Sequence, residues 1–329
     1  MDNYKGLTGL VNLGNTCFIN SAIQCLSHTK VLNKLLKKKI VQNKVGDDID
    51  SLLLKEWVIL YDLMWSSNCT IKPGRFLLNM KKVAKEKNQE LFLGFQQNDI
   101  SEFLIFCFDC FHESLKREVD MKIIGKAEND KDLLAKKSYK MIKNIYNDKY
   151  SEIINLFYGI HISKISSLES NYINKTPEPF IFLNLEIYGE NLYDCIGNYT
   201  KEELLPHKLE VDEKTKKREN VKKKILFWSL PEILIITLKL FSNDGEKIDK
   251  KIDIPLNNLD LNKYVIGYDK NNNYDLYGIC NHLGSSNYGH YTSYIKVNNE
   301  KWFCFDDMNI TEIDINTENA YCLFYSKKK

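Results

Sequence analysis

A nucleophile, a base and a group to orient that base stand at three places in this sequence, and together they would perform acyl transfer. The nucleophile is Cys17, within Asn12–Leu26 (NLGNTCFINSAIQCL). Behind it Ile19, Ile23 and Leu26 recur at helical spacing, and Phe18, Ala22 and Cys25 widen the apolar face, so the spacing predicts a buried helix that begins at the cysteine. Asn15 and Thr16 occupy capping positions, and Gly14 permits a sharp turn into the helix. A thiol in the first turn of a helix faces the positive end of its dipole, which favours the thiolate, the reactive form.

The base comes from Asn281–Asp307 (NHLGSSNYGHYTSYIKVNNEKWFCFDD). His290 follows a loop of Gly, Ser and Asn and leads into the strand-like run Tyr291–Val297. A second run, Lys301–Phe305, ends at Asp306, and the polar turn Asn298–Glu300 between them predicts a hairpin. Such a hairpin sets Asp306 beside His290, where a carboxylate accepts the imidazole N–H and selects its tautomer. Asn12 offers an amide donor for the oxyanion of a tetrahedral intermediate. On residue types alone two readings of Cys17 stand side by side, this nucleophile or one more buried core thiol, and His282 competes with His290 as the base.

The elements that must position these groups divide by character. From Val31 to about Tyr150 the pattern is mainly helical, with Leu52, Leu53, Trp57, Leu60, Tyr61 and Met64 on one face and Pro73 opening the next helix. Phe103–Leu115 is the clearest helix. Asp99 stands at its cap, with Glu102 placed to complete a capping box. Cys107 and Cys110 lie among aromatic and aliphatic residues and read as core packing, not as metal ligands. Asp120–Lys149 reads as a charged loop and an exposed helix. From Phe157 onward Phe180–Ile187, Ile225–Ser229, Glu232–Leu240 and Tyr274–Asn281 read as strands, so the carboxyl half is mostly sheet and the fold class is α+β.

The 329 residues are 43% hydrophobic and 27% charged with a formal charge of +2, an ordinary globular balance without the basic footprint of nucleic-acid binding. The basic stretch Lys214–Lys224 mixes signs and reads as a solvated face. No apolar run reaches membrane-spanning length, and the amino terminus lacks a signal-peptide pattern. Nine irregularly spaced cysteines do not form a secreted disulfide framework. A reducing, cytoplasmic (or nuclear) location and a monomer without membrane or nucleic-acid partners are expected.

Four stretches in this order resemble the ubiquitin-specific protease family. GLVNLGNTCFINSAIQCL resembles its cysteine box, GFQQNDISEFL its Gln/Asp/Glu segment, LPEILIITLKLF its LP-x-x-L-x-x-x-LKRF strand, and YDLYGICNHLGSSNYGHYTSYIKVNNEKWFCFDD its histidine box. The resemblance implies a papain-like cysteine protease fold: a helical thumb over about 1–155, β-ribbon fingers over about 156–225 with a palm strand near 180–187, and an antiparallel palm sheet over about 226–329. It implies a thiol-dependent hydrolase acting on bonds at the carboxyl-terminal glycine of ubiquitin, through Cys17, His290 and Asp306 and a thioester. By the same resemblance Gln97, Asp99, Glu102, His282 and Tyr291 border the channel for the ubiquitin tail, which makes His282 a channel wall, and Asp307 assists orientation or the oxyanion. The departures are Asn98 for a usual glutamine, Leu240 for arginine and Phe18 for tyrosine. Many family members bind zinc at the fingertips through two Cys-x-x-Cys pairs. Here Ser167 and Ser170, and Asp212 and Thr215, stand near those positions, so no structural zinc and no cofactor are expected.

Overall fold

The computed structural model describes residues 4–328 apart from 95, 148, 213, 214, 243, 249, 286, 287 and 299. Phe95 of the Gln/Asp/Glu segment, Lys214 of the basic stretch, 286–287 of the loop before His290 and Asn299 of the hairpin turn lie outside the described residues, as does the side chain of Asp212.

The thumb opens with a short strand β1 (Gly9–Leu10), which leads to α1 (Cys17–Ser27), α2 (Lys30–Val41) and α3 (Ile49–Ser66). Strand β2 (Thr70–Ile71) pairs in parallel with β1, and α4 (Gly74–Glu86), α5 (Ile100–Leu115), α6 (Asp130–Tyr146) and α7 (Glu152–Phe157) come after it. Helix α1 is buried along its whole length, polar residues included. Its inward amides have work there: Gln24 Nε2 donates to Thr8 O at 2.7 Å and Asn20 Nδ2 to Leu10 O at 3.3 Å. Most buried polar groups are bonded in this way, although Asn20 Oδ1 and Gln24 Oε1 have no partner among the described residues. Trp57 anchors the thumb core against Phe76 and Phe111, and its indole N–H donates to Asn33 Oδ1 at 3.0 Å. Cys107 and Cys110 are fully buried in the same core.

The fingers begin with β3 (Gly159–Ser167) and β4 (Ile173–Phe180), and the chain then enters the palm as β5 (Phe182–Glu186). The expected strand Phe180–Ile187 is therefore split at residue 181 between two sheets. A helix not foreseen in this half, α8 (Leu192–Tyr199), is started by a capping box of Asn191 and Asp194. Strands β6 (Glu203–Leu204), β7 (Leu209–Asp212), β8 (Lys217–Glu219) and β9 (Val221–Ser229) complete the fingers, with sheet order β4-β3-β9-β6 and a separate β7-β8 ribbon.

The palm continues through β10 (Ile233–Lys239), β11 (Leu259–Asp260), β12 (Asn273–Gly284), β13 (Gly289–Val297), β14 (Lys301–Asp306), β15 (Asn309–Ile313) and β16 (Ala320–Lys327). Its order is β15-β14-β13-β12-β16-β10-β5, antiparallel except for the parallel β10–β5 edge. Strand β10 explains the most apolar stretch of the sequence. Ile233 and Ile235 face the thumb core, while Leu234, Ile236 and Leu238 face a second core on the other side, so both faces are covered. Among the described residues no helix is long and apolar enough to cross a membrane.

At the fingertip a carboxylate gathers the chain. Glu219, with a side chain only 1% exposed, accepts from Ser170 Oγ at 2.6 Å, from Ser167 Oγ and from Lys217 Nζ at 2.6 Å. Glu169 meanwhile accepts from the N–H and side-chain amide of Asn220 at 3.1 and 2.9 Å. The Lys217 bond, then those of Ser167 and Ser170, hold the Glu219 carboxyl down at about 2, against an ordinary 4.5. A carboxylate held below its unfolded value stabilises above that value and loses the contribution as pH falls toward the folded one. Protection of the amides at 167–172 and 217–220, measured as exchange relative to the intrinsic rate at each pH, is therefore expected to fall between about pH 4.5 and 2. Glu219→Gln is expected to show low protection there already at neutral pH, with little further loss of protection on acidification.

Candidate active site

Cys17 is the first residue of α1, as its spacing requires, and is 2% exposed. The loop before it turns through left-handed residues, Gly14 at φ 101° and Asn15 at φ 53°. Thr16 is the cap residue, yet its side chain makes no capping bond to the helix. Its hydroxyl instead accepts from Leu13 N at 3.0 Å and donates to Asn12 Oδ1 at 3.2 Å. Asn12 Oδ1 also accepts from the N–H groups of Gly14 and Thr16 at 3.0 and 3.1 Å. The loop is thus folded around the Asn12 carbonyl, and no side chain from the cap position covers the first-turn N–H groups.

On the palm side, His290 is the second residue of β13 and Asp306 the last of β14. His290 Nε2 donates to Asp306 Oδ1 at 2.6 Å, which leaves Nδ1 as the basic nitrogen of the neutral ring. The next residue, Tyr291, offers its backbone N–H to the Cys17 sulfur. Helix α1 and strand β13 are packed on one another, and Ser21 Oγ reaches Thr292 O at 2.9 Å.

Asp307 occupies the turn between β14 and β15 with φ 50°. Left-handed backbone costs a non-glycine residue about 1–2 kcal/mol, and three bonds to the thumb hold it. Asn12 Nδ2 donates to Oδ2 at 3.0 Å, Asn20 Nδ2 to Oδ1 at 2.8 Å, and Leu10 N to the Asp307 carbonyl at 2.9 Å. Neither the Asn20 contact nor the place of Asp307 could be read from the sequence; the only local signal was the paired Asp306-Asp307. Ligand atoms of His290, Asp306 and Asp307 gather within 4.8 Å, the one such trio of metal-ligand side chains among the described residues. Their bonds to one another and to the two asparagines account for the grouping.

Burial pushes the Cys17 thiol up from its ordinary value; the N–H of Tyr291 lowers it, the Asp307 charge raises it, and the N–H groups of Phe18 and Cys17 lower it. The lowering expected from the helix start is thus outweighed in the free protein, because a site 2% exposed penalises the charged form more than these donors favour it.

Of the residues expected along a channel, Gln97, Asp99, His282 and Tyr291 line one cleft between thumb and palm. Asp99 caps α5, but its Oδ1 accepts from Ser101 N at 2.7 Å and from the Ser101 hydroxyl, while Glu102 is exposed. The expected capping box with Glu102 is therefore not formed, since Ser101 is the nearer donor. The other oxygen of Asp99 accepts from Tyr321 OH across the cleft. His282 is buried among Phe241, Tyr291 and Tyr321, and burial foremost, then Lys247, lowers its pKa. It lines the cleft, while the Asp306 carboxylate bonds to His290. Gln97 spans the cleft to the backbone of Gly289.

The family model described as ubiquitin carboxyl-terminal hydrolase matches residues 8–325. Human ubiquitin carboxyl-terminal hydrolase 2 is 31% identical over 343 residues, covering 98% of this chain and 55% of its own. The Gallus gallus protein of the same name is 32% identical over 347 residues, covering 98% and 93%. The chain spans about half the length of the human relative. Among solved structures, a chain of the SAGA Ubp8/Sgf11/Sus1/Sgf73 DUB module bound to ubiquitin aldehyde superposes over 100% of this chain and 71% of its own, with TM-score 0.75 and 24% identity. A chain of the Ubp8-Sgf11-Sgf73-Sus1 SAGA DUB module does so with TM-score 0.72 and 26% identity, over 69% of its own length.

Two outcomes are expected at this site. Alkylation of Cys17 by iodoacetamide, tracked against pH by mass spectrometry, will have its midpoint above that of an ordinary thiol, and Asp307→Asn will lower that midpoint by removing a nearby negative charge. At Gly9 a Cβ would lie 2.4 Å from the backbone oxygen of Met308, so the strand and the 307–308 turn must separate to admit one. Gly9→Ala is expected to cost about 1–3 kcal/mol in urea unfolding.

Proposed function

Because the chain belongs to the ubiquitin carboxyl-terminal hydrolase family, we propose that it is a cysteine protease that cleaves the isopeptide or peptide bond following the carboxyl-terminal glycine of ubiquitin. The observation that carries this reading is the His290–Asp306 pair, bonded at 2.6 Å, with His290 on the strand that packs against the helix beginning at Cys17 and bonds to it through Ser21 and Thr292. In the first half-reaction His290 Nδ1 takes the Cys17 proton as sulfur attacks the glycine carbonyl. Asp306 holds the Nε2–H and stabilises the imidazolium that forms. The oxyanion is met by N–H groups at the open helix start and by the second amide hydrogen of Asn12, the first being engaged by Asp307. Collapse expels the lysine amine, which leaves with the proton from His290, and gives a thioester on Cys17. Water, deprotonated by the same imidazole, then releases the glycine carboxylate.

Protonation of His290 inverts the thiol's balance. An imidazolium beside the sulfur favours the thiolate that burial disfavours in the free protein. Gln97, Asp99, Glu102, His282 and Tyr291 border the tail channel in this reading, and the carboxylates of Asp99 and Glu102 suit a tail that carries arginine. The fingertip is read as metal-free, supported by the hydroxyls of Ser167 and Ser170, which donate to the Glu219 carboxylate and are not of the thiolate or imidazole type that structural zinc takes.

Ubiquitin bearing a carboxyl-terminal thiol-reactive electrophile is expected to form a covalent adduct with the wild-type protein under reducing conditions and none with Cys17→Ala. Binding of ubiquitin without turnover of any linkage would make the protein a ubiquitin-binding scaffold instead. Faster labelling by an equivalent probe built on another ubiquitin-like modifier would reassign the substrate.

A further inference from the structure

The segment preceding α5 and the first residue of β13 make a bond pattern usually seen between strands. Gln97 Nε2 donates to Gly289 O at 2.7 Å, and Gly289 N donates to Gln97 Oε1 at 3.1 Å. In an antiparallel sheet a residue exchanges both its N–H and its C=O with one residue opposite. The Gln97 side-chain amide therefore fills the place of a strand residue against Gly289.

That place lies on an open edge. One side of β13 is paired with β12 from Gly289 onward, but pairing with β14 begins only at Ser293 opposite Phe305. Along this edge the thumb engages Gly289 through Gln97, and the backbone N–H of Tyr291, two residues on, is among the groups that lower the pKa of the Cys17 thiol. One two-residue strand repeat, about 6.8 Å, separates such positions. An extended chain that lays its scissile carbonyl at Cys17 runs its preceding main chain past Gly289. No side-chain change at position 289 can relieve the competition, because a Cβ there would lie 2.1 Å from His282 Nε2. A second cross-cleft bond, Tyr321 OH to Asp99, closes the same passage two residues further along the thumb.

We propose that Gln97 is an intramolecular stand-in for substrate main chain, a latch that satisfies the edge of β13 in the free protein and must be exchanged for the backbone of the incoming tail. The exchange is nearly isoenergetic in hydrogen bonds, since two neutral bonds are broken and two are made. It favours residues at the tail end that carry no side chain to obstruct pairing beside His282. The latch rests on the hydrolase reading for the identity of the tail, but not for its own existence.

The test separates the two. Cys17 is labelled by a short diglycine vinyl sulfone, which must run along the edge, and by iodoacetamide, which has no main chain to place. These rates are measured for the wild-type protein, Gln97→Ala and Gln97→Met, the last preserving length without the amide donor and carbonyl acceptor. Exchange of the Gly289 amide is measured in parallel. Loss of the latch is expected to speed the diglycine probe roughly three- to tenfold, as removal of a competing neutral bond implies. Iodoacetamide is expected to change by less than about twofold, the Gly289 amide to exchange faster, and the melting temperature to hold. Slower diglycine labelling in Gln97→Met would make Gln97 a substrate contact and overturn the latch. Equal acceleration of both reagents would overturn it too, by showing general opening of the cleft. Failure of wild-type protein to react with the ubiquitin probe, while the diglycine rates still respond, would sink the hydrolase reading and leave the latch standing.

Discussion

Three bonds tie Asp307 to Leu10, Asn12 and Asn20, and through them the two halves of the site meet. They join the turn of a palm hairpin to both the loop before Cys17 and the first turns of the helix that carries it. Asp306, the neighbour of Asp307, holds His290, so one turn sets the position of the nucleophile's loop and of the base together. The cost of a left-handed aspartate is offset because each of its carboxylate oxygens and its carbonyl has a bonded donor. Close approach of Gly9 to Met308 is the steric counterpart of the same junction.

Behind this junction the helix is held from all sides. Asn20, Ser21 and Gln24 bond to the entering strand and to β13, while the apolar residues between them pack into the thumb core. A buried nucleophile results from that support, and with it a thiol whose charged form is disfavoured until a cation stands beside it. Precise placement and a reluctant resting thiol have one physical origin, exclusion of water.

The fingers and the cleft show polar clasps bridging segments far apart in the chain. At the fingertip one covered carboxylate joins two serines and a lysine. In the cleft, amide and phenol groups of thumb and palm satisfy one another where an extended ligand would lie. The chain's membership of the ubiquitin carboxyl-terminal hydrolase family, with a match over residues 8–325, is compatible with local replacement of such clasps because the core strands and helices carry the fold.

Features decided within a few turns of chain were legible from residue order alone, because local period and local chemistry suffice for them. The start of α1 at Cys17, Asp99 as the cap of α5, the strand β10 and the hairpin that brings Asp306 to His290 are of this kind. Helix α8 was missed, since its capping box is confined to Asn191 and Asp194 inside an otherwise strand-rich region, and Ser101's role at the α5 cap was mistaken for Glu102's. The pairing of Asn20 with Asp307, of Gln97 with Gly289 and of Ser167 with Glu219, and the net effect of burial on the Cys17 thiol, emerged only in the folded chain. Those contacts join positions 52 to 287 residues apart, where spacing carries no period and the balance between desolvation and hydrogen bonding is set by what the whole fold packs around each group.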